Sequence, residues 1–163
     1  FHTLYEKAES MKGNTGENLL SLVERRLDNV VYRLGYASTR REARQLVNHG
    51  HYTVNGKRVN IPSYTVNVGD VIAVCENSCS TTRFKKMKED DAFVAAPKWL
   101  ERDKNTLSGK VIALPARDDI DFEIAENLIV ELYSSNVSPS FIGKLNSATK
   151  QGFVVTRRVI YSW

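Results

Sequence analysis

The stretch "STRREARQLVNHGHYTVNGKRV", residues 38–59, decides the reading of this chain, because within it the apolar spacing changes from a helical period to a strand period. Thr39 followed three residues later by Glu42 is a capping box, in which each side chain satisfies a backbone donor at a helix start. Ala43, Leu46 and Val47 then form an apolar stripe, and Gly50 stands where the helix ends. Arg40, Arg41, Arg44 and Asn48 fall within roughly 100° of arc beside that stripe, given the turn per residue. Past Gly50 the period is two, and Asn55-Gly56 is the strongest short hairpin signal, since both turn residues must accept positive φ. The stretch thus predicts a short helix with one cationic face, followed by a hairpin that adds Lys57 and Arg58.

Working outward, Leu20, Val23, Leu27, Val30, Val31 and Leu34 recur at helical spacing from Glu17, and Gly35 supplies a C-terminal cap. One continuous helix is expected there. Residues 1–12 predict one or two helical turns with Leu4, Ala8 and Met11 on one side, and Gly13 and Gly16 break the pattern. On the other flank, "SYTVNVGDVIAV" (63–74) predicts further strand, with Gly69-Asp70 as a turn, and "GKVIALP" (109–115) another. The charged segment 77–93 reads as helical. "DFEIAENLIVELYSS" (121–135) predicts a short helix at 124–127 running into an apolar strand at 128–132. No internal repeat or low-complexity region interrupts this order.

A chain of 163 residues holds one ordinary domain or two small ones. Apolar residues at 42% and charged residues at 26% are ordinary for a folded protein, and the net charge is only +4. The distribution of charge says more. Residues 24–60 carry eight Lys/Arg against three Asp/Glu, a net of +5, whereas residues 118–135 carry six acidic residues and no basic ones. Segregation of this kind points to two partners, one of them anionic. Cys75 and Cys79, the only cysteines, make half a metal site at best and read as free thiols. No apolar run approaches the ~20 residues a bilayer span requires, and no secretory signal is visible, so no membrane partner is expected. The chain opens on Phe1 rather than Met, which reads as an upstream segment removed or as a piece of a longer protein.

Catalysis finds little support. His49 and His51 flank Gly50 with no cysteine or carboxylate at metal-ligand spacing, and there is no nucleophile elbow, phosphate-cradling Gly-rich loop, HExxH or CxxC. No cofactor, metal or small-molecule substrate is expected. The acidic run lacks the spacing of a calcium loop and reads as a solvated or protein-contacting face. The cationic face differs in kind. Arginine's planar fork bonds phosphate bidentately and is weakly hydrated. Thr39, Gln45 and Asn48 add neutral donors of the sort that fix register on sugar and phosphate. Tyr32, Tyr36 and Tyr52 offer rings for base stacking, with core packing the competing use of Tyr32. A nucleic acid is the expected partner.

Residues 26–72, "RLDNVVYRLGYASTRREARQLVNHGHYTVNGKRVNIPSYTVNVGDVI", closely resemble the S-four, or alpha-L, RNA-binding domain. With "KGNTGENLL" (12–20) before and "ENLIVELYS" (126–134) after, the chain is similar to the bacterial-type ribosomal protein S-four family of the small subunit, from about Phe1 to Ser134. The resemblance implies an α+β fold, a helical segment plus two helices packed on a small curled antiparallel sheet. It divides the chain into a mixed body (1–25 and 76–135), the RNA-binding domain (26–75) and a basic extension (136–163). It further implies a structural, non-enzymatic constituent of the ribosome. Such a protein binds small-subunit ribosomal RNA directly, nucleates assembly of the subunit body, and supports translational accuracy with a neighbouring ribosomal protein. Carried over by motif, the RNA-facing residues are Thr39, Arg40, Arg41, Arg44, Gln45, Asn48 and His49, then Asn55, Lys57 and Arg58 on the hairpin, with Lys12, Asn14 and Thr15 in the earlier loop. "ARDDIDFEIAE" (116–126) falls where the family meets its protein neighbour, which assigns Asp118, Asp119, Asp121 and Glu123 to that contact.

Two departures stand against the family pattern. The basic N-terminal segment, which in many members carries a zinc-binding cysteine knuckle, does not precede Phe1. And the chain continues past the "LIVELYS" stretch through a tail, 136–163, with four basic residues and no acidic ones. A bacterial cytoplasmic ribosome and an organellar one, mitochondrial or plastid, both accommodate these features. Two other classes compete. A pseudouridine synthase also carries the S-four domain, yet the residues after Ile72 show neither the size nor the aspartate motif of its catalytic domain. A DNA-binding helix-turn-helix regulator would read a major groove, which duplex RNA does not offer.

Overall fold

Three helices stand where two were expected before Gly35: α1 (His2–Ser10), α2 (Thr15–Glu24) and α3 (Leu27–Arg33). The single helix predicted from Glu17 is broken at Arg25-Arg26, where Arg26 takes an extended backbone (φ −66°, ψ 139°) and bridges Thr65. Neither glycine nor proline causes the break. The loop at residues 62–67 does, by taking the backbone groups a continuous helix would use. Leu27 N–H donates to the Tyr64 carbonyl at 2.8 Å, Asp28 N–H to Pro62 at 3.2 Å, and Val66 N–H to the Arg25 carbonyl at 2.9 Å. Arg25 is buried, and its Nε donates to the Val66 carbonyl at 2.8 Å. The orphan donors of α3's first turn thus find partners far along the chain rather than in the preceding helix.

The computed structural model describes residues 2–89, 95–103, 105–120 and 126–133. The chain parts into two units, residues 1–20 with 122–163, and residues 21–121. In the larger unit, α3 and α4 (Arg40–Asn48) lie against a five-stranded antiparallel sheet. Its strands are β1 (Tyr52–Val54), β2 (Lys57–Arg58), β3 (Val71–Val74), β4 (Leu100–Asp103) and β5 (Ser108–Val111), in the order β2-β1-β3-β5-β4. Two short helices, α5 (Glu76–Cys79) and α6 (Thr82–Glu89), follow β3. The expected α+β architecture is present, and β4 and β5 extend it. By pairing with β3, β5 draws residues after 97 into this unit, whereas the sequence reading set a boundary at 75/76. Residues 63–68, read as strand, form a loop apart from the Thr65 bridge, and the chain turns at Gly69 (φ 91°) as predicted.

Alternation along the strands sends Tyr52, Val54, Ile72, Val74, Leu100 and Val111 into one core with Leu27, Val30, Val31 and Leu34 of α3 and Ala43 and Val47 of α4. Gly109 lets the end of α3 approach the sheet, since a Cβ there would stand 2.5 Å from Leu34 Cδ2. Tyr36 and Tyr52 are wholly buried, with their phenols donating to the Ser108 carbonyl at 2.7 Å and the Tyr36 carbonyl at 3.2 Å. Neither ring is available to stack on a base, which corrects that expectation. In the smaller unit, α7 (Glu126–Tyr133) is a helix, not the strand predicted at 128–132. Its Ile129 is buried and Tyr133, one helical turn on, stacks on Tyr5 with ring centroids 5.2 Å apart.

Candidate nucleic-acid interface

α4 is fixed at both ends by its own sequence. Thr39 Oγ1 accepts the Glu42 N–H at 3.2 Å, and Glu42 Oε2 accepts the Ser38 N–H at 2.7 Å, one residue further back than the simple capping box. The other carboxylate oxygen of Glu42 pairs with Arg83 of α6, and that hydrogen bond holds the Glu42 carboxyl below its ordinary range. At the C-terminus Gly50 adopts φ +70°, with Gly50 N–H bonded to the Val47 carbonyl at 2.8 Å and His51 N–H to Leu46 at 3.2 Å, a Schellman closure.

The three arginines are not equivalent. Arg41 is exposed and has no hydrogen-bond or ion-pair partner among the described residues. Arg40 lies over the Tyr32 ring, 4.5 Å from its centroid, and its Nε donates to Asn29 Oδ1 at 3.2 Å. Arg44 stays about half exposed, its Nη1 3.6 Å from Asp28 Oδ2. Two carboxylates of the preceding segment therefore stand beneath α4, and both are buried: Glu24 at 1% and Asp28 at 4% exposure. Arg33 pairs with Glu24 at 3.1 Å, and Arg26 forks onto Asp28 at 2.8 and 3.1 Å. Three guanidinium groups thus meet two carboxylates, Arg26 and Arg44 at Asp28 and Arg33 at Glu24, while Arg40 is held by the Asn29 amide, so the cluster is oriented without being neutralised. Of these side chains Arg44 and Arg41 are the exposed ones, and a guanidinium carries five donors to offer an anion.

Gln45, Asn48 and His49 are exposed along the rest of this helix and its end, as is Thr39 at its start. The hairpin divides differently. Asn55 and Gly56 take φ 51° and 78°, the turn the sequence predicts. The Asn55 side chain, however, is occupied: Nδ2 donates to Asp70 Oδ1 at 2.8 Å and Oδ1 accepts the Val71 N–H at 2.9 Å. Arg58 reaches back to α4, donating from Nε to the Gly50 carbonyl at 2.8 Å and from Nη2 to His49 at 2.9 Å. There it complements the negative end of the helix dipole. Lys57 remains exposed.

Lys12, Asn14 and Thr15 belong to the smaller unit. Lys12 is exposed, while Asn14 caps α2 by accepting the Gly16 N–H at 2.9 Å. Asp118 is exposed on a 3-10 turn (Arg117–Asp119), and Asp119 accepts the Ala116 N–H at 3.0 Å. Asp121, Glu123 and the 136–163 tail lie outside the described residues. Sequence reasoning missed Glu24, Asp28, Asn29 and Arg83. The available signal was acidic and amide residues at the i, i+4 and i+5 positions of an otherwise basic, apolar stretch. Among the described residues no helix is long and apolar enough to cross a membrane, and no three His, Cys, Asp or Glu side chains cluster for a metal ion.

Comparison with known proteins bears on this geometry. Residues 25–72 match the S4 domain. Over 134 residues, 82% of this chain, it is 66% identical to small ribosomal subunit protein uS4 of Caldicellulosiruptor bescii, 64% to that of Acetivibrio thermocellus and 60% to that of Clostridioides difficile. The chain spans 64% of the length of each of these curated relatives.

Proposed function

The chain belongs to the small ribosomal subunit protein uS4 family over the 134 residues it shares with these relatives, and from that premise we propose that it binds small-subunit ribosomal RNA directly through α4. It then acts as a structural, non-enzymatic part of the small subunit in the bacterial cytoplasm, beside other ribosomal proteins. The observation that carries the reading is the set of guanidinium groups held by buried side chains, Arg26 and Arg44 at Asp28, Arg33 at Glu24 and Arg40 at Asn29, with Arg41 exposed on the same helix as Arg40 and Arg44. Phosphates are the anions that such a rigid, multi-forked surface fits. Thr39, Gln45, Asn48 and His49 would fix register, with Lys57, Lys12 and Thr15 as outlying contacts. Residues 26–75 would be the binding module, on a sheet that β4 and β5 extend. Assembly of the subunit body and translational accuracy are the family roles this binding would serve.

Asp118, Asp119, Asp121 and Glu123 would meet a neighbouring protein, and the basic tail would add RNA contacts. Reversing Asp118, Asp119 and Asp121 to Lys should then disturb association with the assembled subunit while RNA affinity stays within about threefold, the range of rim charges. A large loss of RNA affinity would remove that assignment. The RNA-modifying alternative is not favoured, since the relatives carry the name of a ribosomal protein. The direct test is titration of full-length small-subunit ribosomal RNA with the protein, in competition with duplex DNA of equal mass. Preference for the ribosomal transcript is expected; equal affinity for the two would overturn the reading.

A further inference from the structure

We propose that Asp28 and Asn29 are positioning residues for RNA binding: from beneath α4 they hold the Arg44 and Arg40 guanidinium groups in the spacing that a folded RNA backbone presents. The inference rests on the RNA-binding reading above and extends it to two residues that are themselves almost wholly buried, at 4% and 2% exposure. Asp28 is locked first. Its carboxylate accepts the Arg26 fork at 3.1 and 2.8 Å and the Asn29 N–H at 2.9 Å, and from that fixed position faces Arg44 Nη1 at 3.6 Å. Asn29 is locked by Glu24. Its Nδ2 donates to the Glu24 carbonyl at 2.9 Å and to Glu24 Oε2 at 2.6 Å, which leaves Oδ1 to accept Arg40 Nε at 3.2 Å. The Tyr32 ring lies under Arg40, its centroid 4.5 Å from the guanidinium carbon.

An arginine on an open helix face samples many rotamers and loses them when it grips a phosphate. Arginines already held lose less, and they favour the one backbone geometry that their spacing matches. Charge alone argues the opposite way. A carboxylate near a phosphate site repels the RNA, so removing it should tighten binding to any polyanion. The two accounts therefore differ in sign for one isosteric change, Asp28→Asn.

The test measures dissociation constants of the full chain for full-length small-subunit ribosomal RNA and for a perfect RNA duplex, with near-ultraviolet circular dichroism and thermal unfolding of each variant. D28N is expected to bind the ribosomal RNA several-fold more weakly, up to roughly tenfold, as follows from the Arg44 side chain set free, while duplex affinity is unchanged or tighter. In an Arg44→Ala background D28N should cost at most a small part of that, because Asp28 acts through Arg44. Tighter or unchanged ribosomal RNA binding by D28N, equal weakening on both RNAs, or full additivity with R44A would overturn the proposal. If D28N does not fold, Tyr32→Leu carries the same test, since it removes the ring under Arg40 and leaves every carboxylate in place. Selective loss on ribosomal RNA, restored in Tyr32→Phe, supports the proposal, and equal behaviour on both RNAs sinks it. A wild-type chain that fails to prefer ribosomal RNA overturns the underlying reading instead.

Discussion

The face of α4 and the tip of the hairpin look alike in sequence: each is a short run of polar and cationic residues beside a glycine. In the structure they differ in what their side chains bond. On α4, Arg40 and Arg44 lean on side chains of α3, an amide, a ring and a shared carboxylate, and Arg44 stays about half exposed. On the hairpin, Asn55 and Arg58 bond mainly backbone, the Val71 amide and the His49 and Gly50 carbonyls, and so close the turn and the helix end. The lesson is that exposure of a charged residue is not its availability. A group held by another side chain is aimed, whereas a group that completes the backbone's own hydrogen bonds is structural.

The largest expected effect breaks the aimed region. Replacing Arg40, Arg41 and Arg44 together by Ala should cost roughly 3 kcal/mol of RNA binding, about a hundredfold, with charge-assisted bonds to phosphate as the lost interactions. The logarithmic salt slope should fall by roughly two to three units, one per phosphate contact removed. Titration at several salt concentrations measures both, and unchanged affinity would strip α4 of its role.

The hairpin should respond in stability instead. Gly50→Ala forces a Cβ into a left-handed backbone position and onto the Arg58 guanidinium, which must leave its two carbonyls. A loss of about 2 kcal/mol in unfolding free energy is expected from the strain and the broken cap. Asn55→Ala removes two hydrogen bonds and places Ala at φ 51°, and should cost about 1–2 kcal/mol. Denaturant unfolding checks both, paired with RNA titration under conditions where each variant is folded. A hundredfold loss of RNA affinity in N55A would erase the contrast with α4.

These differences mark what the chain made legible in advance. The capping box at Thr39 and Glu42, the Gly50 closure and the Asn55-Gly56 turn are local devices, complete within a few residues, and the structure contains each of them. The arginine face followed from helical geometry alone. The break at Arg25-Arg26 was illegible because its cause lies in the loop at 62–67, which supplies the bonds from a distance. The α7 segment, rich in Leu, Ile and Val, satisfies either period over so short a run, since Ile129 and Tyr133 share a face in a helix and in a strand alike. The committed state of Asn55 and Arg58 was hidden for the same reason. Which atom a polar side chain bonds is a property of the packed chain.

The smallest effect concerns pH, and it separates the two ends of α4. His51 is half-buried with Nδ1 2.8 Å from Ser78 Oγ; burial, then the charges of His49, Arg58 and Arg83, hold its imidazole below the ordinary histidine range. In the unfolded chain His51 takes up a proton near the usual ~6.5, while the folded chain resists until lower pH. Between those two values the unfolded state binds more protons, so stability falls as the medium is acidified. The loss should begin below about pH 6.5, the unfolded histidine value, and be complete below the folded one. Glu42 at the other end behaves as a depressed carboxylate, so its contribution is present above the ordinary carboxylate value and disappears only in a lower window. Thermal unfolding followed from pH 7.5 to 5.5 should therefore show a fall that His51→Gln flattens and Glu42→Gln leaves in place. An undiminished fall in H51Q would place the titrating group elsewhere, and the hairpin end of α4 would lose its pH dependence.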